Sequence, residues 1–177
     1  MNITARDLLI GFRFLTLSFI VQCCQSSKEE PFFTGTWQFT EKITSDELTF
    51  NTIRTLVLTR NSYDEIYIIK REDKGYVAAV IGTKGDLIPG HSSLTFILRE
   101  LGTCKKDASE KCTEDVLWFG EGTQYWSDNI QYFKSNVRGD FTANETTLHL
   151  KRDLNKDGDF DDTGEDIEFQ RMKPGDQ

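Results

Sequence analysis

Hydrophobic and polar residues alternate along most of the chain from Thr34 onward, which is the period-two pattern of β-strands. In the segment 36–40, for example, Trp37 and Phe39 fall on one face and polar residues fall on the other. The pattern predicts strands within residues 36–40, 53–59, 65–70, 76–81, 94–101, 116–119, 130–133, 139–141, 146–152 and 167–172. No long stretch with the 3.6-residue period of a helix interrupts them.

The number and spacing of these strands predict an all-β domain, either an antiparallel up-and-down barrel or a β-sandwich. Turn signals at residues 61–64 and 72–75 separate the early strands. Leu56-Val57-Leu58 is apolar on both faces, which suits the curved strands of a small barrel. We assign the domain to residues 33–173, with a tether at 23–32 and a short tail at 174–177.

Residues 1–22 have the organisation of a signal peptide, with two arginines before an apolar run at 14–21. That run is much shorter than the roughly 20 residues that cross a bilayer. Cys23 follows directly, so the segment resembles a bacterial lipoprotein signal, although Gln22 stands where Gly, Ala or Ser is usual. The resemblance implies a lipid anchor on Cys23 that holds the protein to the outer membrane or the cell surface. Plain secretion is the alternative.

Short motifs at both ends of the predicted domain resemble those of lipocalins. Gly35-Thr36-Trp37 on the first strand is similar to the G-x-W signature of these barrels. Three later motifs resemble the last strands of bacterial lipocalin-like domains: Arg138-Gly139-Asp140-Phe141, Thr147-Leu148-His149-Leu150 and Phe169-Gln170-Arg171. The resemblance implies a lipocalin-like barrel in which Trp37 packs at the closed end beneath Arg171. The Thr-Asp-Tyr turn of lipocalins is not in the sequence.

An acidic segment near the C-terminus has the spacing of a calcium loop. Asp153, Asn155 and Asp157 occupy ligand positions 1, 3 and 5, and Gly158 occupies position 6, where the chain turns sharply. Position 12 is Gly164 instead of the usual glutamate. The segment resembles the D-x-N-x-D-G loops of exported bacterial proteins, which lack flanking helices. The predicted calcium ligands are Asp153, Asn155, Asp157, Asp159, Asp161 and Glu165.

The charge of this segment also favours a metal. The chain has a net charge of −8, and residues 153–168 contain eight acidic side chains against Lys156 alone. Like charges at this density repel one another unless an ion or solvent screens them. The alternative is a solvated acidic hairpin that turns at Asp157-Gly158.

Two further cysteines, Cys104 and Cys112, bracket a polar segment between two predicted strands. In an exported protein this spacing favours a disulfide that closes the loop. A metal site would need additional ligands nearby, and neither histidine nor a third cysteine is close in sequence.

The sequence favours a non-catalytic binding protein. A net charge of −8 without a basic cluster argues against nucleic acid. His91 and His149 lie far apart in sequence, and no nucleophile motif or phosphate-binding loop is present, so we expect no enzyme. The leading hypothesis is a filled barrel whose loops bind a host or envelope protein. The alternative is a barrel that carries a small hydrophobic ligand.

Overall fold

The computed structural model describes residues 31–45, 47–155, 157–160, 162, 164–173 and 175. Within these residues lie nine strands: β1 (Gly35–Ser45), β2 (Leu48–Leu58), β3 (Ser62–Arg71), β4 (Val77–Pro89), β5 (Ser93–Lys106), β6 (Cys112–Gly120), β7 (Asn136–Ala143), β8 (Thr147–Arg152) and β9 (Asp166–Arg171). The predicted signal peptide, most of the tether, including Cys23, and most of the tail lie outside the described residues.

Eight of these strands close into an antiparallel up-and-down barrel. Strands β1 to β5 pair in sequence order, and β7, β8 and β9 continue the sheet from β5 back to β1. Strand β5 pairs with β4 along one edge, and with β7 and then β6 along the other. Strand β6 therefore extends the sheet beyond the barrel wall. The barrel prediction is confirmed, and the sandwich alternative is excluded.

One end of the barrel is closed by packed apolar side chains. Its core includes Trp37, Leu56, Leu58, Leu87, Leu94, Leu148, Leu150 and Phe169, all at most 3% exposed. These side chains occur at alternate positions of their strands, because successive residues of a strand point to opposite faces. Phe33, which precedes β1, is also buried and packs edge-on against Phe141, with the ring centroids 5.5 Å apart. The segment before β1 therefore seals this end.

The strand predicted at residues 130–133 is wrong, because the chain there is helical. A six-residue helix, α1 (Gln124–Asn129), follows β6, and a 3-10 helix (Ile130–Tyr132) follows α1. The Oγ1 atom of Thr123 accepts a hydrogen bond from the backbone N–H of Trp126 and so caps α1. Strands β6 and β7 both pair with the same edge of β5, so the chain between them crosses from one to the other and has no strand neighbour. Among the residues described, no helix is long and apolar enough to cross a bilayer.

The two turns predicted from the sequence differ in how accurately they were located. The turn expected at 61–64 lies earlier, because Ser62 already belongs to β3 and the N–H of Thr59 donates to the Ser62 carbonyl at 2.9 Å. The turn expected at 72–75 is present between β3 and β4, and Gly75 there has a φ of 64°. Glycine adopts this left-handed conformation without steric penalty.

Cys104 in β5 and Cys112 at the start of β6 form a disulfide, with their Cα atoms 5.3 Å apart. The disulfide prediction is therefore confirmed. The bond closes the turn between β5 and β6, the part of the sheet that extends beyond the barrel wall. A loop of this length contributes about 2–3 kcal/mol in the chain-entropy description.

Candidate functional site

A cavity of about 440 Å³ occupies the barrel at the end opposite the packed core. Its volume falls in the range of about 300–1,000 Å³ that is common for small-molecule sites. Aromatic side chains make up much of the wall: Phe39, Tyr63, Tyr67, Phe96, Tyr132 and Phe133. The last two come from the helical connection that the sequence predicted as a strand. The barrel is therefore filled at one end and hollow at the other.

A buried ionic cluster of Arg54, Glu65 and Arg152 forms part of the cavity wall. Arg152 donates two hydrogen bonds to the Glu65 carboxylate, each 2.8 Å long. The Nε of Arg54 donates to Glu65 Oε1 at 2.6 Å. Arg152 also lies over the ring of Phe96, with its guanidinium carbon 5.2 Å from the centroid. Glu65 thus holds two guanidinium groups from β2 and β8.

Strand alternation places all three charges on the inner face. Arg54 is two positions before the buried Leu56 in β2, and Arg152 is two positions after the buried Leu150 in β8. Glu65 is the register partner of Leu56 in the β2–β3 pairing. None of these three residues was predicted from the sequence as a site residue. The signal was available as charged residues at apolar-face positions.

Burial and charge pull the pKa values of the cluster in opposite directions. Burial raises the pKa of Glu65, but the charges and hydrogen bonds of Arg152 and Arg54 outweigh it, so the pKa lies well below its ordinary value. Burial raises the pKa of the neighbouring Tyr63 hydroxyl, and the Glu65 charge adds to this effect. Near neutral pH, Glu65 is therefore an anion and Tyr63 is neutral.

The acidic segment forms the loop between β8 and β9. Asp153 accepts a hydrogen bond from the N–H of Gly158 at 3.1 Å, and Asn155 accepts one from the N–H of Asp157 at 2.8 Å. Carboxylate oxygens of Asp157, Asp159 and Glu165 lie within 4.8 Å of one another. The structure therefore brings together three of the predicted calcium ligands. Asp153 is not part of this group, and Asp161 lies outside the described residues.

Glu165 is the one buried carboxylate of the three, at 1% exposure. Its Oε1 accepts hydrogen bonds from the backbone N–H groups of Leu154 and Asn155, at 2.5 and 3.2 Å. Its Oε2 is buried without a hydrogen-bond partner among the described residues, and so is Oδ1 of Asp153. Buried carboxylate oxygens without a partner are energetically unfavourable and leave room for a ligand. The usual calcium loop has a glutamate at position 12, where this chain has Gly164. The next residue, Glu165, supplies a buried carboxylate.

The acidic loop also forms part of the cavity wall. Leu154 and Gly164 line the cavity, and the Nη1 of Arg54 donates to the Gly164 carbonyl at 3.3 Å. The backbone N–H of Arg152 donates to the Glu165 carbonyl at 2.7 Å. Two members of the ionic cluster are therefore bonded directly to the loop. These contacts connect the loop to the wall of the cavity.

The remaining predicted residues lie away from the cavity or outside the described chain. Trp37 and Arg171 are in contact at the closed end, with the guanidinium carbon 4.0 Å from the ring centroid. His149 is on β8 and is hydrogen-bonded to Asp166, whose pKa is lowered by a hydrogen bond from Lys151 and then by His149. His91 lies in the exposed turn between β4 and β5.

No family model matches the chain, and no curated protein sequence matches it. The described fold contains two candidate sites. These are the aromatic cavity with its ionic cluster and the acidic loop beside it.

Proposed function

We propose that this protein is an exported, lipid-anchored, non-catalytic binding protein whose barrel cavity holds a small, largely apolar ligand. The observation that carries the proposal is the cavity of about 440 Å³, open at one end of a closed barrel and walled by aromatic side chains. Apolar surface that is removed from water on binding supplies the affinity. Of the two hypotheses from the sequence, the cavity supports the ligand carrier more than the filled scaffold.

Kinship with bacterial lipocalin-like lipoproteins is part of this proposal. The closed eight-stranded barrel supports it, together with the contact of Trp37 and Arg171 that the G-x-W resemblance implies. The anchor at Cys23 and the location in the cell envelope rest on the sequence of residues 1–23 alone. A loop-mediated complex with a host or envelope protein stays a prediction.

A cavity-filling substitution tests the proposal. Thr83 lines the cavity beside Glu65, its register partner on the neighbouring strand, so Thr83→Trp fills the space. Thr142→Trp makes the same change at an exposed position of β7. N-phenylnaphthylamine, an uncharged probe that fluoresces in apolar surroundings, serves as the ligand. We expect wild type and Thr142→Trp to bind the probe and Thr83→Trp to lose at least tenfold in affinity. Equal binding by all three proteins contradicts the proposal.

We propose a structural calcium ion in the acidic loop as a second function of the same domain. Its support is the buried Glu165 oxygen without a partner, close to the carboxylates of Asp157 and Asp159. Calcium prefers several oxygen ligands, and extracellular modules bind it with dissociation constants of about 10⁻⁴–10⁻³ M. The ion offsets the repulsion among the acidic side chains and links β8 to β9.

Thermal unfolding of two charge-matched variants tests the calcium site. Glu165→Gln removes the buried carboxylate, and Glu168→Gln removes an exposed one three residues later. In 10 mM calcium, the wild type should gain about 1.4–2.7 kcal/mol over protein in excess chelator, by mass action at the affinity given above. We expect Glu168→Gln to keep most of this gain and Glu165→Gln to lose it. A wild-type melting temperature that does not change between calcium and chelator excludes the site.

A further inference from the structure

The ionic cluster in the cavity wall carries one more positive charge than negative charge. Arg54 and Arg152 share the single carboxylate of Glu65. Both oxygens of that carboxylate are already engaged, Oε1 by both arginines and Oε2 by Arg152. Glu65 therefore cannot compensate a second guanidinium fully. A buried charge without a full counter-charge is unfavourable in a medium of low polarity.

Arg54 is the guanidinium that lacks full compensation. Arg152 makes the paired, two-bond contact with Glu65, whereas Arg54 makes a single bond to it. Within the described chain, Arg54 directs only one other side-chain hydrogen bond, to the Gly164 carbonyl, out of five N–H donors. Its side chain is 15% exposed and lines the cavity. Arg54 therefore has both unused N–H donors, within the described chain, and a charge that is not fully compensated, and it lies in the cavity wall.

The other charged groups of the cavity do not remove this excess. Asp166 is engaged by Lys151 and His149, and no ion pair joins the half-buried Glu41 to Arg54 in the part of the chain that the structure describes. Lys134, at an exposed position of the cavity lining, and Glu41 carry opposite charges, so together they leave the excess at the cluster unchanged. Burial, and then the neighbouring Arg152, lower the pKa of Arg54 against the effect of Glu65, in keeping with a cation that lacks a full counter-charge.

We propose that the ligand of the cavity is an apolar monocarboxylate, whose carboxylate pairs with Arg54 while its apolar body lies against the aromatic wall. This rests on the proposed function of the cavity. One carboxylate brings the cluster to neutrality, and it matches the planar fork of a guanidinium. Tyr63, Tyr67 and Phe96 lie beside the cluster and provide the apolar contact. An uncharged ligand leaves the excess charge in place, and a cation is repelled by it.

Three probes with the same alkyl chain test this inference by calorimetry on the full-length protein: decanoate, decanol and decylamine. We expect decanoate to bind at least about tenfold more tightly than decanol, because a hydrogen bond to a charged group is stronger than one between neutral groups. Decylamine should bind more weakly than decanol. If decanol binds as tightly as decanoate, the cavity still takes an apolar ligand but the carboxylate inference is overturned. If none of the three probes binds, the proposed function fails as well.

The variant Arg54→Met tests whether Arg54 causes the preference for decanoate over decanol. This variant leaves Glu65 with its two-bond partner Arg152, so the cluster becomes neutral and should fold. We expect decanoate to fall to within about threefold of decanol while decanol binds as in the wild type. The control is Arg99→Met, which removes an exposed arginine paired with Asp86 and should keep the wild-type preference. A preference that persists in Arg54→Met overturns the assignment, and if that variant does not fold, the wild-type ratio of the two affinities decides.

Discussion

The guanidinium of Arg171 lies over the ring of Trp37 at the seam where the last strand meets the first, and the two residues are register partners. Arg171 also donates to the carbonyl oxygens of Thr34 and Phe32, at 2.8 and 2.7 Å. Gly35 has a φ of 138°, and a Cβ atom at this position would lie 2.4 Å from Nη1 of Arg171. The positive φ favours glycine at this position of the G-x-W motif, and the arginine occupies the space that a Cβ atom would enter.

Arg171→Ala should destabilise the barrel by about 2–3 kcal/mol. The variant loses a cation–π contact worth about 1–2 kcal/mol and two charge-assisted hydrogen bonds to backbone carbonyls. Chemical denaturation measures the change, and the emission of the buried Trp37 should shift to longer wavelength. Arg99→Ala, which removes a surface ion pair, should change the stability by less than about 1 kcal/mol. Equal effects of the two substitutions would show that the seam contact contributes nothing specific.

Glu65→Gln should destabilise the protein by about 3–5 kcal/mol at neutral pH, because two buried guanidinium groups lose their counter-charge. The effect depends on pH. The folded-state pKa of Glu65 is lowered, so its stabilisation is complete above the unfolded pKa of about 4.3 and is lost as the pH falls below that value.

Denaturation at several pH values checks this prediction. The difference in unfolding free energy between wild type and Glu65→Gln should be constant between pH 6 and 8. It should shrink by about 1.4 kcal/mol for each pH unit below about 4.3. Glu168→Gln, at an exposed position, serves as the control and should show a far smaller difference throughout. A difference that stays constant down to pH 3 contradicts the ionic cluster.

Calcium and the carboxylate ligand should strengthen each other's binding. Residues 153–168, which include the loop proposed to hold calcium, contain eight acidic side chains against one lysine, and the Gly164 carbonyl accepts a hydrogen bond from Arg54. Calcium reduces the repulsion that this loop exerts on an anion entering the cavity. We expect saturating calcium to raise the affinity for decanoate about three- to tenfold and to leave that for decanol nearly unchanged.

The coupling between calcium and decanoate must be equal in both directions, and this equality checks the prediction. Decanoate should lower the dissociation constant for calcium by the same factor by which calcium lowers that for decanoate, because the coupling free energy is shared. Calorimetric titration in both directions measures the two factors. An equal effect of calcium on decanoate and on decanol would show that its influence is not electrostatic.

The sequence predicted the wall of the barrel better than its interior. The alternation of apolar and polar residues identified the strands and their buried faces, because both depend on residues that are neighbours in sequence. Trp37, Phe169 and Arg171 are on the inner face as expected. The helical connection was missed, because the absence of a strand neighbour for residues 130–133 depends on how β6 and β7 share one edge of β5.

The two candidate sites also differ in how well the sequence predicts them. The acidic loop is continuous in sequence, and Asp157, Asp159 and Glu165, which lie together in the structure, are all among the ligands predicted from it. The ionic cluster joins Arg54, Glu65 and Arg152 from three strands, and the last two are separated by 87 positions. The alternation of side chains along each strand places these residues on the inner face, but only the closure of the barrel brings them together. The cavity depends on this closure too, so its volume could not be predicted from alternation.

Methyl NMR of the full-length protein tests the central claim, that the barrel cavity is the binding site, most directly. Ile81, Leu98 and Val137 line the cavity, whereas Leu58 and Leu87 pack in the closed end and Leu117 lies on β6 outside the barrel. On titration with decanoate, we predict saturable shifts of the Ile81, Leu98 and Val137 methyl signals and little change at the other three. Shifts at Leu117 without shifts at the three cavity residues would contradict the account.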